Sequence, residues 1–212
     1  MADSYNEWDG TDKKQLTNTP EKNGDPTWSY DGKYIFFEKF IEGDWEIFRM
    51  DSDGSNITRL TNNPQNYDWH PFAHTSEYKV LFESGKPEEY SIYIMDMDGQ
   101  NITELNNQDF EKRVPSISLD GKKIIFQGFL DRNYDLFLMD SQGLNVTNVT
   151  NSDMNEGHAS ISPDNKLIAY QGEIEKTPQI FIMDIDGSNR KMLTGQDDYY
   201  ARMPAFLYQL SD

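Results

Sequence analysis

The 212-residue sequence predicts an all-β fold, a β-propeller of four-stranded antiparallel blades. Three observations carry this. Leu16, Leu60, Leu105, Val149 and Leu193 open closely similar segments at spacings of 44, 45, 44 and 44 residues. Each segment holds four short strand-type stretches separated by turn residues, which is the composition of one propeller blade. The chain ends match the two halves of such a segment, so the most economical ring has five blades with the fifth shared between the N- and C-termini. The whole of 1–212 then reads as one domain. Its repeats run at about 16–59, 60–104, 105–148 and 149–192, and the closing blade at 193–212 plus 1–15.

The elements of a repeat follow in a fixed order. A variable connection leads into a first strand marked by Pro26-Thr27-Trp28-Ser29, Pro71-Phe72-Ala73, Pro115-Ser116-Ile117-Ser118 and Ala159-Ser160-Ile161-Ser162. A tight turn follows at Asp31-Gly32, Asp120-Gly121 and Asp164-Asn165, where Gly or Asn supplies the positive φ that a hairpin needs. Copy two has Thr75-Ser76-Glu77-Tyr78 instead, a longer turn without glycine. The second strands are Tyr34–Glu38, Val80–Glu83, Ile124–Gln127 and Leu167–Gln171, and the third are Glu46–Met50, Ser91–Met95, Asp135–Met139 and Gln179–Met183. An Asp-x-Asp-Gly turn and a short fourth strand complete the unit. At the ends, Asp9–Thr17 matches Asp53–Thr61, and Arg202–Phe206 matches the start of a repeat.

These parts resemble the TolB-type propeller repeat. The resemblance rests on Pro26-Thr27-Trp28-Ser29-Tyr30-Asp31-Gly32-Lys33 and on Ile92-Tyr93-Ile94-Met95-Asp96-Met97-Asp98-Gly99, and it spans about residues 9–206. It implies a bacterial propeller with a periplasmic or extracellular location. No signal peptide is visible at Met1–Gly10.

Composition narrows the partners. Aromatic residues reach 13%, enough to build a β core in a chain that is only 36% hydrophobic. A net charge of −18 repels phosphate backbones, so nucleic acid is not an expected partner. No apolar run approaches the length of a membrane span. The chain has no cysteine, which excludes disulfides and thiolate chemistry. A monomer is expected.

In such a blade the first-to-second and third-to-fourth turns share one face of the disk. The second-to-third connections and the blade-to-blade connections share the other. The first set is uniform in this sequence and the second varies, so binding is expected on the variable face. Its candidate partner-binding residues are Trp45, Tyr67, Trp69, His70, Phe110, Arg113, Tyr134, His158, Tyr199, Tyr200 and Arg202. Exposed Tyr, Trp and Arg dominate interface energies.

One register stands apart. The residue before the Pro or Ala position is Asp25, His70, Val114, His158 and Met203, which places these side chains near the central channel. Asp25, His70 and His158 are the weak candidates for a metal site there. No cofactor is expected, with a channel cation such as calcium left open. The Asp-x-Asp-Gly segments read as turns, because a strand resumes too soon for a calcium loop. Ser29, Ser118 and Ser162 recur at one repeat position and read as structural, and no Gly-x-Ser-x-Gly elbow or phosphate loop occurs. The expected function is therefore non-catalytic recognition of a protein or peptide on the variable face. A carbohydrate-binding, lectin-like propeller is the alternative, and a metal-dependent enzyme at the channel is a third reading.

Overall fold

The computed structural model describes residues 13–73, 78–195 and 201–206. These contain four antiparallel sheets of four strands each. Blade 1 consists of β1 (Asn23–Trp28), β2 (Tyr34–Ile41), β3 (Asp44–Asp51) and β4 (Thr58–Arg59). Blade 2 consists of β5 (Tyr67–Ala73), β6 (Lys79–Gly85), β7 (Ser91–Asp96) and β8 (Thr103–Glu104). Blade 3 consists of β9 (Glu111–Ile117), β10 (Lys123–Leu130), β11 (Asn133–Asp140) and β12 (Thr147–Asn148). Blade 4 consists of β13 (Glu156–Ile161), β14 (Leu167–Ile174), β15 (Thr177–Asp184) and β16 (Lys191–Met192). The order within each sheet is sequential, so every blade is a meander. First strands lie beside first strands (β1 by β5, β5 by β9, β9 by β13), which puts them innermost.

The hydrophobic core sits between the blades. Phe36, Ile47 and Leu60 of blade 1 pack on Val80, Phe82 and Met95 of blade 2. Leu81, Ile92 and Leu105 pack on Ile124, Phe126 and Met139 at the next seam. Ile125, Leu136 and Val149 pack on Ile168, Tyr170 and Met183 at the third. The recurring leucine of the repeat is thus a seam residue. The Asp-x-Asp-Gly turn closes over it. Gly99 has φ +83, and a Cβ there would lie 2.8 Å from the Leu60 carbonyl oxygen.

The repeated polar residues hold turns, as their recurrence implied. The Ser29 hydroxyl donates to Asp31 at 2.8 Å and accepts from the Tyr34 amide at 2.9 Å. Ser118 and Ser162 repeat this on Asp120 and Asp164. Asn56, Asn101 and Asn145 all have positive φ, and each donates its side-chain amide to the first Asp of its turn. Asp53 accepts the Ser55 amide at 2.8 Å.

Two boundaries differ from the sequence reading. The first strands begin several residues before the proline, because they continue through a β-bulge. The register shifts between Gly24 and Thr27, between Trp69 and Phe72, and between Gly157 and Ser160, with the equivalent shift in β9. Proline fits there because the bulge asks for no ladder donor. The second-to-third connections are also more uniform than expected. Blades 1, 3 and 4 turn on two residues with both φ positive: Glu42-Gly43, Asp131-Arg132 and Glu175-Lys176. Blade 2 alone has a longer loop there, since β6 and β7 last pair at Ser84 and Ser91. The long turn expected at Thr75–Glu77 lies outside the described residues, as do Tyr199, Tyr200 and most of the closing blade.

Candidate functional site

The residue before the Pro or Ala position has positive φ in every case: Asp25 at 40°, His70 at 46°, Val114 and His158 at 48°, and Met203 at 52°. Five side chains that shared only a sequence register therefore share one backbone conformation. At His70 and Val114 the bulge frees a backbone N–H, and the preceding blade satisfies it. The His70 amide donates to Glu38 Oε2 at 3.1 Å, and the Val114 amide donates to Glu83 Oε2 at 2.9 Å. Glu38 and Glu83 lie at one repeat position, the same one that Gln127 and Gln171 occupy.

Glu83 is fully buried and is the hub of this inner ring. His70 Nδ1 lies 2.6 Å from its Oε1, and Arg113 Nη2 lies 3.1 Å from the same atom. Burial alone pushes Glu83 up, but His70 and Arg113 together hold it below the usual carboxylate range. Burial likewise disfavours a charged His70. The bond to Glu83 and the charges of Glu83, Asp25 and Glu38 nevertheless carry its pKa above the ordinary value. Among the described residues Glu38 forms no ion pair, and burial lifts it to about 7.

The structure brings together Asp25 and His70, whose Nε2 lies 3.2 Å from Asp25 Oδ2. Both ring nitrogens of His70 thus face carboxylates of the protein. Among the described residues, His158 forms no hydrogen bond or ion pair with them. Burial and then the charge of His70 hold its pKa down. No group of three or more His, Asp or Glu is arranged to hold a metal ion among the described residues.

The remaining candidates divide between two clefts on the variable face. At the seam of blades 1 and 2, Phe40, Trp45, Trp69 and Tyr67 form an aromatic ladder with centroid separations of 5.5, 4.6 and 6.4 Å. Beside it lies a cavity of about 390 Å³ lined by Glu42, Asp44, Arg59 and Lys86. At the seam of blades 2 and 3 a larger cleft encloses about 830 Å³, with Phe110, Phe129 and Tyr134 in its walls. Phe129 and Tyr134 are cross-strand partners, with ring centroids 5.0 Å apart. Arg113 joins this cleft to the inner ring, stacking on Tyr90 at 4.5 Å while it pairs with Glu83. Arg202 is exposed.

Sequence reasoning missed the acids of the seams. Glu46 of β3 and Asp68 of β5 are buried together, and so are Asp135 of β11 and Glu156 of β13. Burial, reinforced by Glu46 and Asp44, pushes Asp68 up to about 7. Burial also raises Glu156 to about 7, against opposing bonds from Ser152 and Thr150. At the middle seam Lys112 takes the position of these acids. Its ammonium is turned inward onto the Gln108 and Phe110 carbonyls. The available signal was positional: Asp68, Lys112 and Glu156 each stand two residues before the pre-proline residue.

Exposed apolar side chains are not confined to the variable face. Tyr30, Tyr78 and Leu144 lie at or beside turns of the other face, and each is more than half exposed. They sit singly on three different blades, and scattered apolar residues of this kind are ordinary.

Residues 6–128 and 78–206 match the TolB beta propeller domain, two overlapping stretches that span almost the whole chain. The chain belongs to this family. It is similar to TolB from Acinetobacter baumannii, with a TM-score of 0.74 and 25% identity over 90% of this chain and 47% of that one. It is also similar in fold to a putative TolB from Agrobacterium tumefaciens, with a TM-score of 0.64 and 18% identity over 84% of this chain and 82% of that one. An uncharacterised protein of Agrobacterium fabrum is 36% identical over 70 residues, which cover 33% of this chain and 24% of the relative. The chain thus spans just under half of the A. baumannii TolB and about a quarter of the A. fabrum relative. No helix among the described residues is long and apolar enough to cross a membrane.

Proposed function

We propose that this TolB-family propeller is a non-catalytic recognition module that binds a protein or peptide on its variable face. The observation that carries the reading is the 830 Å³ cleft between blades 2 and 3, where exposed Phe129 and half-buried Tyr134 and Phe110 stand among charged groups. Concave sites with aromatic walls and a few polar groups are where binding energy concentrates. Strands β10 and β11 present Phe129 and Tyr134, which limits the ordering cost of binding. The family assignment supports the reading, and a periplasmic location goes with it.

A photo-crosslinking side chain placed at Phe129, on the variable face, or at Leu144, on the opposite face, tests this in the source cell. Crosslinks to one discrete protein from position 129 and none from 144 are expected. Crosslinks from 144 alone would overturn the assignment.

A further inference from the structure

The two seam clefts occupy equivalent positions one blade apart, and the contrast between them says what each suits. The first is mixed in charge, and Arg59 there already pairs with Glu42 and Glu46. The second is lined by Glu88, Glu89, Glu104, Asp109, Glu111 and Asp131. Among the described residues, Lys112 is the one cation in its lining. It is 1% exposed, its pKa is lowered by burial, and its Nζ donates to backbone carbonyls. Five of the six acids form no ion pair among the described residues.

The sixth, Glu111, is nine-tenths buried at the cleft wall. Its Oε2 accepts the Tyr134 hydroxyl at 3.3 Å. Its Oε1 accepts no hydrogen bond among the described residues, with Arg113 Nε at 3.7 Å. Among the described residues the long ion pair with Arg113 is all that holds Oε1, and a desolvated carboxylate oxygen gains from a closer donor. The rings supply the rest of the chemistry. The exposed Phe129 lines the cleft beside Tyr134, and cations bind the faces of such rings. The protein uses the same chemistry locally, with Lys112 over Phe110 at 5.1 Å and Arg113 over Tyr90 at 4.5 Å.

We propose that the cleft between blades 2 and 3 takes a lysine or arginine side chain carried on an extended segment of a protein partner. The cation meets Glu111 Oε1 in the wall, its stem lies against Phe129 and Tyr134, and Glu88, Glu89 and Asp131 draw further positive charge to the rim. This rests on the recognition reading above and names the partner's chemistry. The net charge of −18 steers such a segment from a distance but does not select this cleft.

Calorimetry on the full chain tests it with an end-blocked Lys-Ala-Lys-Ala-Lys-Ala-Lys peptide, its Nε-acetylated counterpart, and spermidine. One saturable site per chain is expected. Acetylation, Glu111→Gln and Phe129→Ala should each weaken it at least tenfold, while Glu42→Gln in the neighbouring cleft leaves it unchanged. Binding indifferent to both Glu111→Gln and Phe129→Ala overturns the proposal, as does spermidine binding as tightly as the peptide. Many weak sites that vanish together in salt overturn it too, since they report net charge alone. A protein partner crosslinked at Phe129 whose binding needs no Lys or Arg sinks this inference and leaves the recognition reading standing. Absence of any partner sinks the recognition reading instead.

Discussion

Replacing Asp68 by Asn should change how the fold responds to pH more than how stable it is. Asp68 is 2% exposed at the seam of blades 1 and 2, with one carboxyl oxygen lacking a hydrogen-bond partner and Glu46 close by. Burial raises it from 3.8 to about 7. A raised carboxyl contributes fully below its unfolded pKa, where both states hold the proton. The contribution is lost as pH rises toward 7, because the unfolded chain sheds the proton first. At ~1.36 kcal/mol per pH unit this has a ceiling of about 4 kcal/mol, and side-chain relaxation with water entry brings it to roughly 2–3 kcal/mol. Asn has nearly the shape of the neutral acid and never charges. Urea unfolding of the full chain at pH 5 and pH 8 reads the effect. Asp68→Asn should exceed the parent by only about 1 kcal/mol at pH 5, where part of the contribution is already lost, and by about 2–3 kcal/mol at pH 8. Equal destabilisation at both pH values would refute the protonated-seam argument.

Other substitutions follow from the same geometry. Glu156→Gln should show the same pH signature through the seam of blades 3 and 4, again by urea unfolding. Glu83→Gln strips the counter-charge from His70 and Arg113, and thermal unfolding should report a loss of about 3–5 kcal/mol, the scale for breaking a buried ion pair. Gly99→Ala, which forces a Cβ toward the Leu60 carbonyl at positive φ, should cost roughly 2–4 kcal/mol, whereas Gly32→Ala, with open space around it, should cost only about 1–2. Leu105→Ala empties the second seam core and should cost about 2–5 kcal/mol in chemical denaturation.

The blade was legible because each of its parts has a local cause. Seam leucines or valine, the Ser-x-Asp turns of blades 1, 3 and 4, and the Asp-x-Asp-Gly turns with their near variant at Asp140–Gly143 recur at fixed spacing, and each does the same work where it occurs. The first strands were misjudged in length because Pro26, Pro71 and Pro115 look like strand ends, and only the bulge lets a ladder run past them. The register of Asp25, His70, Val114, His158 and Met203 was legible as a shared position, but its physical content was not. Positive φ at His70 and Val114 becomes stable only once Glu38 and Glu83 of the preceding blade take the freed amides, and no local pattern reports a partner 32 residues away. The acidic seams were hidden for the same reason. Asp68 and Glu156 look like solvated loop charges until the next blade covers them. The candidate site followed suit: Trp45, Trp69 and Tyr134 were found as residue types, but two separate clefts replaced one composite face. The long-range pairing of blades decides which residues share a wall.

The most direct test of the central claim is amide hydrogen exchange on the full chain with and without its crosslinked partner. A recognition module that works through the variable face should gain protection at the connections of blades 2 and 3, around residues 86–90, 107–111 and 130–134. The Asp-x-Asp-Gly turns on the opposite face should stay unchanged. Protection confined to those turns, with the 86–90 and 130–134 amides unaffected, would contradict the account.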